Sequence, residues 1–113
     1  MATVYGQYTW VIPDAAVGGY GGPKVPVACT VTELSGYVVG GTDCDFNVEE
    51  RSACNSAGTD INATELTADA NGVSSSSFAN ASIADDAFLW LDVSEATDPG
   101  DYLVVTVQYS YTV

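Results

Sequence analysis

From Leu103 to Val113 apolar and polar positions alternate almost without fault. Leu103, Val105, Val107, Tyr109, Tyr111 and Val113 fall on one side, and Val104, Thr106, Gln108, Ser110 and Thr112 on the other. Successive side chains of a strand point to opposite faces, so this period predicts a strand with one apolar and one largely polar face. Val4 to Ile12 reads as a first strand, stopped by Pro13-Asp14. Val27 to Val39 reads as another, with Cys29, Val31 and Glu33 opposite Ala28, Thr30 and Thr32, and Gly36 as a candidate bend or bulge. After a Gly40-Gly41 turn, Cys44, Phe46 and Val48 alternate with Asp43, Asp45, Asn47 and Glu49. That is the pattern of a half-buried strand with an acidic outer face. Phe88 to Val93 and Tyr102 to Val113 form the last pair, joined by Glu95 to Asp101 with a turn at Pro99-Gly100.

Two stretches interrupt this order. Ala15 to Pro26 carries Gly18, Gly19, Gly21 and Gly22 with two prolines, and reads as an exposed loop with Tyr20 at its middle. Arg51 to Ala81 is rich in Ser, Thr, Asn and Gly. Ile61 to Leu66 and Val73 to Phe78 are its expected pairing, with Asn71-Gly72 as a two-residue hairpin turn and a short helix over Ala63 to Ala70 as the alternative. About six to eight short strands with regular turn signals predict an all-β fold, an antiparallel β-sandwich or jelly-roll-like domain. The 113 residues are expected to form one domain, with no tail, linker or second unit.

Charge changes the picture more than size does. Fifteen Asp and Glu face only Lys24 and Arg51, for a net charge of -13. Two cations cannot neutralise a phosphate backbone, so nucleic acid is excluded as a partner, and an anionic membrane surface is disfavoured for the same reason. No apolar run approaches the roughly 20 residues that span a bilayer as a helix. The Met1-Ala2-Thr3 start lacks the basic residues of a signal peptide, so synthesis in a cytoplasm is expected. Few Lys and Arg also mean few trypsin-type cleavage sites, which suits a protein that lives outside cells.

The absence of histidine removes Ser-His-Asp and Cys-His machinery and histidine-containing zinc sites. Cys29, Cys44 and Cys54 form neither a CxxC pattern nor an even disulfide framework. Cys29 and Cys44 sit at apolar strand positions, and a Cys44–Cys54 bridge is left open. Glu49, Glu50 and Asp92 are the candidate carboxylates for glycoside hydrolysis, but Glu49 and Glu50 are neighbours on a strand and point to opposite faces. Asp43-x-Asp45 and Asp85-Asp86 lack calcium-loop spacing and read as solvated acidic surface. Asn62-Ala-Thr64 and Asn80-Ala-Ser82 match the glycosylation pattern, which carries no weight without a secretory signal. No metal or cofactor is expected.

The order of motifs resembles a known module. Val11-Ile12-Pro13-Asp14 is followed by a glycine loop and Cys29-Thr30-Val31, then by Phe46-Asn47-Val48-Glu49-Glu50-Arg51 and Asn55-Ser56-Ala57-Gly58-Thr59-Asp60. Asp86-Ala87-Phe88-Leu89-Trp90-Leu91-Asp92-Val93 and the closing Leu103-Val104-Val105-Thr106-Val107 complete it. Over nearly the whole chain this is similar to a small β-sandwich module of tailed bacteriophages, found in head-decoration and head-fibre proteins and in receptor-binding parts of tail fibres. Asp14 stands where that module usually has glycine. The resemblance implies a non-enzymatic virion structural protein on the capsid surface, with the major capsid protein and copies of itself as partners. The alternative it implies is an adhesin domain recognising cell-surface carbohydrate, with Tyr20 or Tyr37 as a stacking platform. For shell or subunit contact the expected anchors are Tyr5, Tyr8, Trp10 and Tyr20, since exposed aromatics bury much area at little entropic cost. Core positions are the competing reading for Trp10 and Trp90.

Overall fold

The computed structural model describes residues 2–98 and 100–113. Two antiparallel sheets pack face to face. Sheet A holds β1 (Thr3–Pro13), β10 (Tyr102–Thr112) and β3 (Cys29–Val39) in that order. Two short pieces, β7 (Val73–Ser75) and β8 (Ser82–Ile83), share the far edge of β3. Sheet B repeats the plan, with β2 (Gly18–Lys24), β9 (Phe88–Thr97) and β4 (Asp43–Arg51). Its far edge is made by β5 (Thr59–Asp60) and β6 (Leu66–Ala68), both paired to β4. The chain goes out through β1 to β4 and returns through β5 to β10, each outgoing strand pairing with its returning counterpart. That is the pairing of a jelly roll, so the all-β sandwich expected from the alternation is the fold observed.

The core lies between the sheets, and period-2 alternation puts it there. Leu103, Val105 and Val107 of β10 meet Phe46 and Val48 of β4 and Leu89, Leu91 and Val93 of β9 in one buried cluster. β10 keeps its alternation because the irregularity falls on its neighbour. Gln108 faces Glu33 while Tyr109 faces Val31, so Thr32 is an extra residue on β3. This bulge flips the rest of β3, turning Leu34, Gly36 and Val38 inward and Glu33 out, where the plain alternation had placed Glu33 with the core. Gly36 is not the bulge. It lies under the Phe46 ring, which a Cβ there would approach to 2.7 Å.

The glycine stretch is a strand, which corrects the expected loop. β2 pairs with β9 from Gly18↔Val93 to Gly21↔Trp90, and two indoles supply the surface its own residues lack. Trp90 lies across Gly19 and Gly21 on the outer side, within 2.5 Å of where a Gly19 Cβ would stand. Trp10 presses on Gly22 from β1 and donates its Nε1–H to the Gly21 carbonyl at 2.9 Å. An aromatic laid across a glycine strand supplies the packing surface that its missing side chains do not.

The expected hairpin is also revised. Asn62 bridges Phe78, but β6 leaves for sheet B and β7 for sheet A, so Asn71-Gly72 turns the chain between sheets. Asp69 Oδ1 accepts the Asn71 and Gly72 N–H groups and fixes that corner. No helix forms over 63–70. Of the Pro99-Gly100 turn, Pro99 lies outside the described residues, while Gly100 has φ +73°, where a side chain would also strike Gly40 and Gly41. Asp14 has φ +54°, a left-handed conformation that aspartate tolerates.

Cys44 and Cys54 do not bridge. Cys44 is fully buried near the start of β4 and Cys54 is exposed beyond its end. The straight strand to Arg51 separates them by roughly 20 Å, far beyond disulfide reach. Burial foremost, then Glu50 for Cys29 and Asp43 and Asp45 for Cys44, raise both buried thiols above their ordinary range, so they stay protonated.

Candidate functional site

The two outer faces differ in charge. Glu33 is the one charged residue in the strands of sheet A, whereas sheet B carries Asp43, Asp45, Glu49, Glu50, Asp60, Asp92, Glu95, Lys24 and Arg51. Facing strands in register place their side chains in rows. On the outer side of sheet A, Pro13, Tyr102 and Val39 make one row, and Val11, Val104 and Tyr37 make the next. Thr9, Thr106 and Ser35 follow, the two threonine hydroxyls bonded at 2.9 Å, and then Gln7, Gln108 and Glu33. Val11 is 56% exposed, and Tyr37, Tyr102 and Val39 are exposed beside it. This is an open, uncovered apolar patch at one end of a neutral, hydroxyl-rich plane.

Sheet B covers its outer aromatics instead. The Arg51 guanidinium stacks 4.5 Å from the Trp90 ring centroid, and the Lys24 ammonium lies 5.9 Å from that of Phe88. Both of the chain's cations thus mask an aromatic. Arg51 also gives two hydrogen bonds to Glu49 Oε1, from Nη2 at 2.8 Å and Nε at 3.0 Å, and one from Nη1 to the Cys54 carbonyl at 2.8 Å. Asn47, buried on this face, is held by Asn62 through its Nδ2 donating to the Asn62 carbonyl and its Oδ1 accepting the Asn62 N–H.

Of the four expected anchors, the structure leaves Tyr5 in place, 75% exposed on sheet A. Trp10 is withdrawn, since at 3% exposure it belongs to the core. Tyr8 is half-buried against that core and meets Trp10 edge-on at 4.8 Å. Tyr20, opposite Leu91, also turns inward, and its hydroxyl accepts from the Ala16 N–H and donates to the Ala16 carbonyl. Its hydroxyl serves the β1–β2 corner. Trp90, unlike Trp10, is not core, but its outer position is covered by Arg51. The patch of Val11, Tyr37, Val39, Tyr102 and Val104 was missed because its members come from three strands distant in sequence. Each strand's off-core apolar residues were the available signal.

Glu49 and Glu50 diverge as their adjacency dictates. Glu49 faces Arg51, while Glu50 accepts from Asn80 Nδ2 at 2.8 Å and the Ala84 N–H at 2.7 Å, pinning the chain before β9. Among the described residues no three acidic or sulfur ligands converge as a metal site. Asn62 is buried and the Asn80 amide is engaged by Glu50, so neither glycosylation match presents a free amide.

The carboxylates of sheet B repel one another. Burial first, then Glu49, Asp60 and Glu65, raise the Asp92 carboxyl above its ordinary range, with Arg51 pulling the other way. Burial, Glu49 and Glu65 do the same to Asp60. Groups raised in the folded state hold protons more tightly there than in the unfolded chain. Their contribution is therefore fully present below the ordinary aspartate range and is lost as pH rises through the folded values. Asp92→Asn should raise the melting temperature at neutral pH by a few degrees, and added salt should capture part of that gain. The difference from the parent should shrink on acidification. A melting temperature that falls would show that the Asp92 carboxylate is a needed acceptor.

A scan against protein-family models and a search of curated proteins both find no match for this chain.

Proposed function

We propose that this chain is a non-enzymatic virion surface protein that decorates the head of a tailed phage. It docks on the shell through the outer face of sheet A and turns sheet B to water. The observation that carries this reading is the segregation of charge: a chain of net charge -13 keeps one whole sheet face almost neutral and leaves an apolar patch open on it. Neutral rims around exposed aromatic and branched residues are what a protein interface uses, while the acidic face keeps the bound protein soluble. The order of motifs supplies the phage head as the surface. The jelly roll agrees with it only by analogy, since that architecture hosts many functions.

Binding to heads that lack the protein tests the reading. Val11→Glu and Tyr37→Glu place charge within the patch without touching the core, and each should weaken binding at least about tenfold, the shell's repetition multiplying the loss. Asp92→Asn, on the other face, should leave binding unchanged. The adhesin is the second reading, favoured by exposed Tyr37 standing in the row next to the hydroxyls of Ser35, Thr106 and Thr9. Saturable glycan binding with no affinity for heads would replace the first reading by the second.

A further inference from the structure

We propose that two copies of this chain associate edge to edge through β1, antiparallel about a two-fold axis, so that their A sheets become one continuous sheet. β1 runs from Thr3 to Pro13 in unbroken register with β10, and among the described residues no strand pairs with its other edge. Alternate backbone N–H and C=O groups along a strand at this position point out of the edge, ready to pair with another strand.

The other edges carry protection that β1 lacks. β2 contains Pro23 and Lys24, and its register breaks between Gly21 and Lys24. The far edges are two- and three-residue pieces, too short to template a ladder. β1 spans 11 residues with no charge and no bulge, and its one proline is at its last position. Tyr5, the most exposed of the large apolar side chains among the described residues, stands on it.

Charge names the occupant as a second copy. Two molecules of net charge -13 can approach closely only where both are neutral. β1 and β10 carry no charged residue, and the first charge in the sheet is Glu33 on the third strand. At about 4.8 Å per strand, the two Glu33 carboxylates stand roughly 24 Å apart across the join, well past the screening length of about 8 Å. The Asp14 carboxylates fall at opposite ends of the join. A basic partner would be drawn to sheet B instead. With Gln7 on the axis, the outer face pairs Gln7 with Gln7, Tyr5 with Thr9 and Thr3 with Val11, of which aromatic with β-branched is a favourable cross-strand match.

Association does not rest on the docking reading, but it would serve it. Three strands of 11 residues make a plane of roughly 500 Å², below the roughly 800 Å² per partner of a standard interface, and pairing doubles it.

The test is sedimentation of the purified chain over a range of concentrations, with reductant present so that exposed Cys54 plays no part. The dimer fraction should rise with concentration and with salt. Gln7→Asp and Thr9→Asp, both on exposed positions, bring like charges to the join and should weaken association by roughly tenfold or more. Tyr37→Glu, two strands inward, should leave it intact even where it abolishes binding to heads. A chain that stays monomeric up to about a millimolar overturns the proposal. So does an oligomer that both Asp variants leave unchanged, which would place the contact on another surface.

Discussion

Val105→Asp should abolish cooperative folding. Val105 is fully buried in β10, with Trp10 opposite it on one neighbouring strand and Gly36 on the other. Phe46 closes over Gly36 from the facing sheet. A carboxylate in these surroundings finds no cation, because Lys24 and Arg51 both lie on the outer side of sheet B against Phe88 and Trp90. Burying it unpaired costs several kcal/mol, against a total stability of about 5–15 kcal/mol for a domain of this size. Thr106→Asp, one residue on and facing out, is the matched control and should fold with a normal melting transition. If the Val105 variant stayed soluble with an unchanged melting temperature, the inward and outward faces of β10 would have to be exchanged.

The face assignment of β10 was legible from alternation alone because that strand has no bulge of its own. β3 was legible only in part. Its extra residue at Thr32 shifts the period by one, and no local signal separates a bulge from a polar residue on the apolar side, the place that plain alternation gives Glu33. β2 reads as a loop in the sequence because glycine counts against a strand, and the two indoles that cover it, Trp10 and Trp90, belong to other strands. The spacing Gly19-x-Gly21 leaves one face bare on alternate residues, and that is the local sign of a strand here. Fold class survives such errors, since it depends on the number and period of strands rather than on each boundary. The candidate site does not survive them. Tyr37 stands out by residue type alone, but Val11, Tyr102, Val39 and Val104 do not, and the five become a patch only once register brings β1, β10 and β3 side by side. Choosing aromatics by residue type instead favoured Trp10, which the core needs more than any partner would.

Arg51→Met should cost about 2–4 kcal/mol and lower the melting temperature by roughly 10 °C or more. The side chain is 20% exposed and its partner Glu49 14%, so screening by water is limited though not absent. Methionine keeps much of the apolar cover over Trp90 but leaves Glu49 without either hydrogen bond and the Cys54 carbonyl without its donor. Arg51 is also the one influence that holds the Asp92 carboxyl down. Burial and the neighbouring acids then act on Asp92 unopposed, so the variant should lose stability more steeply with rising pH than the parent does. Lysine should rescue little, because a single ammonium cannot stack on the indole and bond Glu49 and the Cys54 carbonyl together. Glu49→Gln added to Arg51→Met should recover part of the loss by removing the stranded charge. The contrast is Lys24→Met. Its pair with Asp86 is 4.0 Å long, with both side chains more than half exposed, and its loss should stay within about 0.5 kcal/mol. Equal effects of the two substitutions would mean that the guanidinium organises nothing, and that the acidic face of sheet B is held by backbone pairing alone.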